Sequence, residues 1–214
     1  MTPSQAGAPP PRARPGRTPS TSREQISHVA LELFMQRGFD GTTVDDIARA
    51  AAIGRRTFFR YFSSKNDVPW GDFDSLLERM RAHLASLPDT MPLMEQLRRS
   101  VMEFNRVGKV ESQYHRRRME LLLNVPTLVA HSTLRYRAWR EVIADHVARR
   151  LNVPSADLIP QTIAWTCLGA CLAAYEQWLA DRQRSLPDLL DEALLMIDVR
   201  IDAEGMQTPR GTQV

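Results

Sequence analysis

Residues 42–62 read TTVDDIARAAAIGRRTFFRYF, and the fold turns on this stretch. Two threonines precede Val44, Ile47 and Ala48, whose spacing makes one apolar helical face, so Thr42 or Thr43 is expected to cap a short helix. Ala51-Ala52-Ile53-Gly54 breaks the pattern, and another short helix is expected over 55–61. With roughly 100° between successive residues, Phe58 and Phe62 lie about 40° apart and define an inward face. Arg56 and Arg60 fall opposite, with Thr57 and Phe59 on the flanks. From Gly54 to Lys65 there are four cations (Arg55, Arg56, Arg60 and Lys65) and no acid. A helix, a tight turn and a helix with an outward basic face have the spacing of a helix-turn-helix. Guanidinium forks reach guanine edges, while hydroxyls and lysine meet phosphates. A lone basic helix would read as a solvated face; the capped helix before it favours nucleic acid.

Upstream, Ser22-Arg-Glu-Gln25 is a capping box, followed by Ile26, Val29, Ala30, Leu33 and Phe34 at helical spacing. Gly38 is expected to end that helix in a left-handed conformation, with Asp40-Gly41 as a turn. Residues 1–21 are Pro-rich, contain Arg12, Arg14 and Arg17 and no acid, and are expected to form a disordered basic arm, able to touch DNA though not required to. They hold no apolar run like that of a secretory signal.

Downstream, every periodic segment is helical. Helices are expected over 64–87 (disturbed near Pro69 and Gly71), 92–107, 111–124, 126–151, 155–184 and 187–203. Pro92, Pro126 and Pro187 suit first turns and Ser155 suits an N-cap. No sustained alternation of period two occurs, so no strands are expected, and residues 205–214 read as a frayed tail. The fold class is therefore all-α: a helix-turn-helix unit over 22–68, then a helical domain over 69–204. The whole chain has 214 residues, 43% hydrophobic and 25% charged, with a net charge of +3, which alone argues for no partner.

At this point the sequence resembles the tetracycline-repressor (TetR) family. The resemblance rests on Ala30, Leu33, Phe34, Gly38, Thr42-Thr43-Val44, Ile47-Ala48, Ala51, Thr57-Phe58-Phe59, Tyr61-Phe62 and Lys65. It implies phosphate contacts from Thr43 and Lys65, and places Arg56, Thr57, Phe59, Arg60 and Tyr61 at or near the major groove; Arg55 joins them as a neighbouring cation. Ala52 departs from a frequent turn glycine, Gly54 from a Ser or Thr cap, and Phe59 from a common tyrosine. The run from Gly54 to Phe73, with its Pro69-Trp70-Gly71, is similar to actinobacterial regulators of the mycofactocin system.

The helix over 155–184 is apolar nearly all round, as a helix with two covered faces would be. No residue from Leu158 to Tyr175 is charged, yet Pro160, Gln161, Thr162 and Thr166 argue for a buried helix rather than a membrane span. The resemblance supplies the two covers, a ligand pocket and a partner subunit. Leu168, Leu172, Tyr175, Leu190, Leu194, Ile197 and Ile201 are the expected dimer contacts. Phe104, Arg106, Tyr114, Arg118, Met119, Leu122, Trp139 and Trp165 are the expected pocket. Arg98, Arg99, Arg106 and Arg116-Arg117-Arg118 suit either a solvated face or an anion-binding mouth for a ligand with an apolar tail, such as a fatty acyl-CoA.

Cys167 and Cys171 are spaced as core residues, and neither they nor His28, His83, His115, His131 and His146 show metal-ligand spacing. No nucleophile elbow, phosphate loop or Cys-x-x-Cys is present, so neither catalysis, a metal nor a cofactor is expected. The expectation is a cytoplasmic homodimeric repressor of a palindromic operator, released by a small hydrophobic effector. The alternatives are a repressor of an efflux or lipid pathway with another ligand, and a ligand-independent DNA-packing protein.

Overall fold

The computed structural model describes residues 22–108 and 111–197, and among these every regular element is helical. The elements are α1 (Arg23–Arg37), α2 (Val44–Ala50), α3 (Arg55–Tyr61), a 3₁₀ turn (Lys65–Trp70), α4 (Phe73–Ser86), α5 (Leu93–Phe104), α6 (Glu111–Asn124), α7 (Pro126–Leu151), α8 (Leu158–Ala180) and α9 (Leu186–Leu195). The expectations about the arm at 1–21, about Ile201 and about the tail at 205–214 lie outside the described residues.

Local chemistry sets the first three helices. Ser22 Oγ accepts from the Gln25 N–H at 3.1 Å while Gln25 Oε1 accepts from the Ser22 N–H at 3.0 Å, so both halves of the capping box form. Gly38 ends α1 with φ 77°, but its ψ of 159° lies outside the left-handed helical region expected for it. Of the two threonines, Thr43 is the cap, reciprocally bonded with Asp46. Thr42 is buried instead and donates its hydroxyl to the Gly38 carbonyl at 2.9 Å, tying the turn to the end of α1.

Several expected boundaries move. The single helix over 64–87 is broken in two: Pro69 sits inside the 3₁₀ turn and Gly71 takes φ 58° and ψ −132° before α4 begins. Proline cannot donate to the helical ladder, and such a backbone suits glycine far better than any residue with a Cβ. The break turns Val68, Pro69 and Trp70 into the core. Helix α5 starts after Pro92, which is its N-cap, and stops at Phe104 rather than 107. Helix α8 starts at Leu158, with Asp157 rather than Ser155 at its cap, and ends at Ala180. Ser185 caps α9 and Pro187 lies in its first turn, but α9 is helical only to Leu195.

Ile26, Leu31, Phe34, Phe58 and Phe62 join Leu84, Leu97, Leu128 and Ile143 in one continuous core. Helix α1 packs on α2, on the 3₁₀ turn and on α6, so it bridges the N-terminal trio and the helices beyond it. The Ser27 hydroxyl donates to the Val68 carbonyl at 3.1 Å, His28 stacks on Tyr114 with ring centroids 3.8 Å apart, and Glu32 pairs with Arg117. Helix α8 packs between α7 and α9. It is long and apolar enough to cross a membrane, with a mean hydropathy of 1.3, but one of its faces is built into the core.

Candidate nucleic-acid interface and internal cavity

Phe58 is fully buried and Phe62 is 2% exposed, with ring centroids 5.6 Å apart, and they fasten α3 from beneath. Arg56 and Arg60 are exposed on the opposite side, and Phe59 is 44% exposed beside them. Thr57 and Tyr61 are half-buried on the flanks, with the Arg60 guanidinium 5.2 Å from the centre of the Tyr61 ring. Arg55 is exposed but engaged: both oxygens of Asp45 on α2 accept from its Nη1 at 2.9 Å, and its guanidinium stands over Phe59.

Two residues expected to meet phosphates also hold the turns together. Thr43 stays exposed while its hydroxyl donates to Asp46, a bond that keeps the Asp46 carboxyl below its usual range. Lys65 donates from Nζ to the Phe39 carbonyl at 2.7 Å and to the Thr42 carbonyl at 2.9 Å, 4.2 Å from the centre of the Phe39 ring. Only one of its three N–H groups is left for a phosphate.

A cavity of about 410 Å³ lies among α1, the 3₁₀ turn, α4, α5, α6, α7 and α8. Five expected pocket residues line it: Phe104, Arg106, Arg118, Met119 and Trp139. Three do not. Tyr114 is turned to His28, Leu122 is in the core at 2% exposure, and Trp165 is 57% exposed on the outer side of α8, capped by the Arg140 guanidinium 3.5 Å from its centroid. The arginine group expected at the mouth is dispersed. Arg98 and Arg99 pair with Glu95, Arg116 covers Trp178 and Arg117 pairs with Glu32, so only Arg106 and Arg118 reach the cavity.

The expected dimer contacts need the larger correction. Leu168, Leu172 and Tyr175 face the cavity together with Cys171, and Leu190 and Leu194 are 1% and 3% exposed inside the protomer. Ile197 is half-buried against the same core. The open face of α8 is the other one: Leu158, Thr162, Trp165, Thr166, Gly169, Ala173, Glu176, Gln177 and Ala180, continued at the end of α9 by Leu195 and its C-cap Met196. Spacing alone could not choose between two faces of one helix that both hold apolar residues.

The sequence reading missed Arg23, Glu24 and Ser27, through which α1 itself lines the cavity, as well as Trp70, Phe73 and Tyr136. The Pro69-Trp70-Gly71 run was the one available signal for the latter group. Inside the cavity, Tyr175 donates to Asn105 Oδ1 at 2.7 Å, so its oxygen accepts from His115 Nε2 at 2.9 Å, which fixes the histidine tautomer. Burial, aided by the Arg118 charge, lowers the His115 pKa to about 4, and burial raises the Tyr175 hydroxyl and the Cys171 thiol. The Cys167 thiol is pushed up to about 12, so both cysteines behave as small apolar groups. On the α1–α6 side, ligand atoms of Glu24, His28 and Glu111 lie within 4.8 Å of one another, an arrangement able to hold a cation; the Arg118 guanidinium beside Glu111 opposes added positive charge there.

An exposed basic helix on a helix-turn-helix trio, joined by α1 to a cavity-bearing helical bundle, has the form of a DNA-binding transcriptional regulator. Residues 26–68 match the family described as bacterial regulatory proteins, tetR family, and residues 91–200 match the MftR C-terminal domain. The chain belongs to the TetR family. It is 45% identical over 193 residues, 90% of this chain and 98% of the other, to a Mycobacterium tuberculosis protein provisionally named mycofactocin biosynthesis transcriptional regulator MftR. It is 32% identical over 142 residues (64% of this chain and 63% of the other) to the transcriptional regulator TcmR of Streptomyces glaucescens. Among solved structures, the TetR-family repressor FadR of Thermus thermophilus, in complex with lauroyl-CoA, superposes with a TM-score of 0.53 at 26% identity, covering 90% of this chain and 99% of that one. The fatty acid degradation regulator FadR of Bacillus halodurans has the same fold, with a TM-score of 0.61 at 15% identity over 82% of this chain and 97% of that one.

Proposed function

We propose that this chain is a cytoplasmic homodimeric repressor of a mycofactocin-type gene cluster, released from its operator by an amphiphilic effector such as a long-chain acyl-CoA. The observation that carries it is the partition of α3: Phe58 and Phe62 inside, Arg56 and Arg60 outside. Residues 22–68 form the operator-reading unit, with Thr43, Arg55, Arg56, Thr57, Phe59, Arg60, Tyr61 and Lys65 facing DNA. Residues 69–204 form the effector and dimer domain. The function is therefore binding and switching, not catalysis.

The open face of α8 and the end of α9 support the dimer, since Gly169, Ala173 and Ala180 allow close approach of a partner helix, Trp165, Leu195 and Met196 supply apolar area, and Thr166, Glu176 and Gln177 give it polar groups. Two copies then present their α3 helices to half-sites about one helical turn of DNA apart, roughly 34–36 Å. The similarity to MftR supports the target cluster. The apolar walls of the cavity, and the similarity to a FadR that binds lauroyl-CoA, support an acyl effector. To release DNA, the effector must bind a conformer with another α3 spacing more tightly by several kcal/mol.

The test is an operator gel shift on the intergenic DNA beside the chain's own gene, run with acyl-CoAs of increasing chain length. Long chains are expected to release the DNA and short ones not. Release by none of them would remove the acyl-CoA assignment, and undiminished binding by an Arg56→Ala, Arg60→Ala double variant would remove the DNA-reading assignment.

A further inference from the structure

Arg118 differs from the other paired arginines. Its side chain is 18% exposed, the most buried guanidinium engaged in an ion pair among the described residues, and yet its partner Glu111 stands 3.8 Å away. Arg98, at 26% exposure, has Glu95 at 2.8 Å as well as Asp191, and Arg135, at 25%, has Asp67 and Asp74 at 3.1 Å. Arg118 Nε has no hydrogen-bond partner among the described residues. A withdrawn, loosely compensated cation is costly unless something else neutralises it.

The surroundings show what that something is. Arg118 lines the cavity, and a Cβ on Gly71 would lie 3.9 Å from its Nη2, so the guanidinium reaches the hinge between the 3₁₀ turn and α4. Nearby, His115 donates to Tyr175 and Tyr175 to Asn105, Arg23 donates to the Gly71 carbonyl at 3.4 Å, and Glu24 adds a second negative charge that acts on Arg118 beside that of Glu111. Among the cations that line the cavity, Arg118 is thus a withdrawn one whose ion pair is long, next to walls made by Met119, Trp139 and Leu168. Its partial counter-ion is also engaged elsewhere: Glu111 Oε1 lies 2.5 Å from His28 Nε2 of α1.

We propose that Arg118 anchors the anionic head of the effector, a carboxylate or phosphate, and that the anion draws Arg118 away from Glu111 and so resets the clasp between α6 and α1. This rests on the cavity being the effector site. The apolar tail lies along Met119, Trp139 and Leu168. A guanidinium gives an incoming carboxylate or phosphate two parallel N–H bonds, which Glu111 at its present distance does not exploit. Because α1 carries Arg23, Glu24 and Ser27 into the same cavity and packs on α2, a change at Glu111 and His28 is transmitted to the trio that holds α3.

The test uses the full chain and four ligands of equal tail length: laurate, dodecyl phosphate, lauroyl-CoA and dodecanol. Binding is read by titration calorimetry and release by operator gel shift. Laurate or dodecyl phosphate is expected to bind about tenfold or more tightly than dodecanol. Arg118→Gln should abolish that gap without weakening dodecanol, and Arg118→Lys should restore part of it. Glu111→Gln, which removes the competing carboxylate, should tighten the anions several-fold, roughly in line with a lost weak ion pair. Lauroyl-CoA losing affinity in Arg118→Gln while laurate never binds assigns the anion to the CoA phosphates; laurate losing it assigns a free carboxylate. Equal binding of laurate, dodecyl phosphate and dodecanol, with lauroyl-CoA indifferent to Arg118→Gln, overturns the anchor but leaves the effector cavity standing. If none of the four binds, both fail.

Discussion

Helices α3 and α8 carry the two surfaces on which the proposed regulation depends, and they are written in different ways. In α3, seven residues divide into rings that are buried and arginines that are exposed. In α8, twenty-three residues are mostly apolar or small, and the contrast between its faces is shallow: the buried one is apolar throughout, while the open one mixes Leu158, Trp165, Gly169 and Ala173 with Thr162, Thr166, Glu176 and Gln177. The lesson is that a surface is readable when chemistry contrasts around the helix, and ambiguous when both faces hold apolar residues. The largest effect that would break the comparison is at Phe58. Truncating a fully buried Phe costs about 3–5 kcal/mol, so Phe58→Ala should unfold the N-terminal trio well below the melting temperature of the remainder. A single unshifted thermal transition would show that α3 is not fastened as described.

On α8 the two faces should separate by assay. Leu168→Ala removes a buried side chain at 5% exposure that borders the cavity, and is expected to cost about 2–4 kcal/mol of stability with the dimer intact. Trp165→Glu places a charge on the open face and should yield a monomer by light scattering, with the thermal transition changed only through lost association. The reverse pattern would return the dimer contact to Leu168, Leu172 and Tyr175.

That ambiguity marks where sequence stopped being informative. The capping box at Ser22, the cap at Thr43, the inward rings of α3 and the bounds of α3, α6 and α7 follow from local rules acting on neighbours, and they form as expected. The break at Pro69 and Gly71 was visible only as a disturbance, because a proline can kink or end a helix and only the packing of Trp70 decides which. Tyr114, Leu122 and Trp165 had the composition of pocket residues, but their directions depend on His28, the core and Arg140, elements remote in sequence. Lys65 has a phosphate-binding look and a second occupation, the Phe39 and Thr42 carbonyls, that no spacing rule shows.

Acid sharpens the contrast further. His115 beside α8 and His146 on α7 are both held at about 4 by burial, against an ordinary value of 6.5, whereas α2 and α3 contain no histidine. The unfolded chain takes up these protons as pH falls from about 6.5, and the folded one does not until about 4, so stability is lost across that window and none is lost above it. Melting curves from pH 7 to pH 4.5, roughly the span of the window, should show the helical bundle loosening before the N-terminal trio. His115→Asn should flatten the slope. An unchanged slope in that variant and in His146→Asn would show that neither histidine is withheld from protonation.

The arginines of α3 come next in size. Arg60→Ala should weaken operator binding by about 1–3 kcal/mol and leave the melting temperature nearly unchanged, because the side chain is exposed and stands over the half-buried Tyr61 ring rather than in the core. Loss of stability comparable to the loss of affinity would mean that Arg60 serves the fold.

The smallest effect is the most specific. Arg55 is exposed, but Asp45 holds both sides of one nitrogen at 2.9 Å, so part of its charge is spent inside the protein before DNA arrives. An exposed pair of this kind contributes under about 1 kcal/mol, so Asp45→Asn should barely move the melting temperature. Its effect on DNA should have the opposite sign from that of Arg60→Ala: one acid fewer at the interface and one guanidinium released give affinity a few-fold higher, by less than about 1 kcal/mol, with a steeper salt dependence. Titrating the operator at two salt concentrations measures both quantities. If Asp45→Asn instead weakens binding, Asp45 is positioning Arg55 rather than competing with DNA for it, and the pair belongs to the recognition surface as a unit.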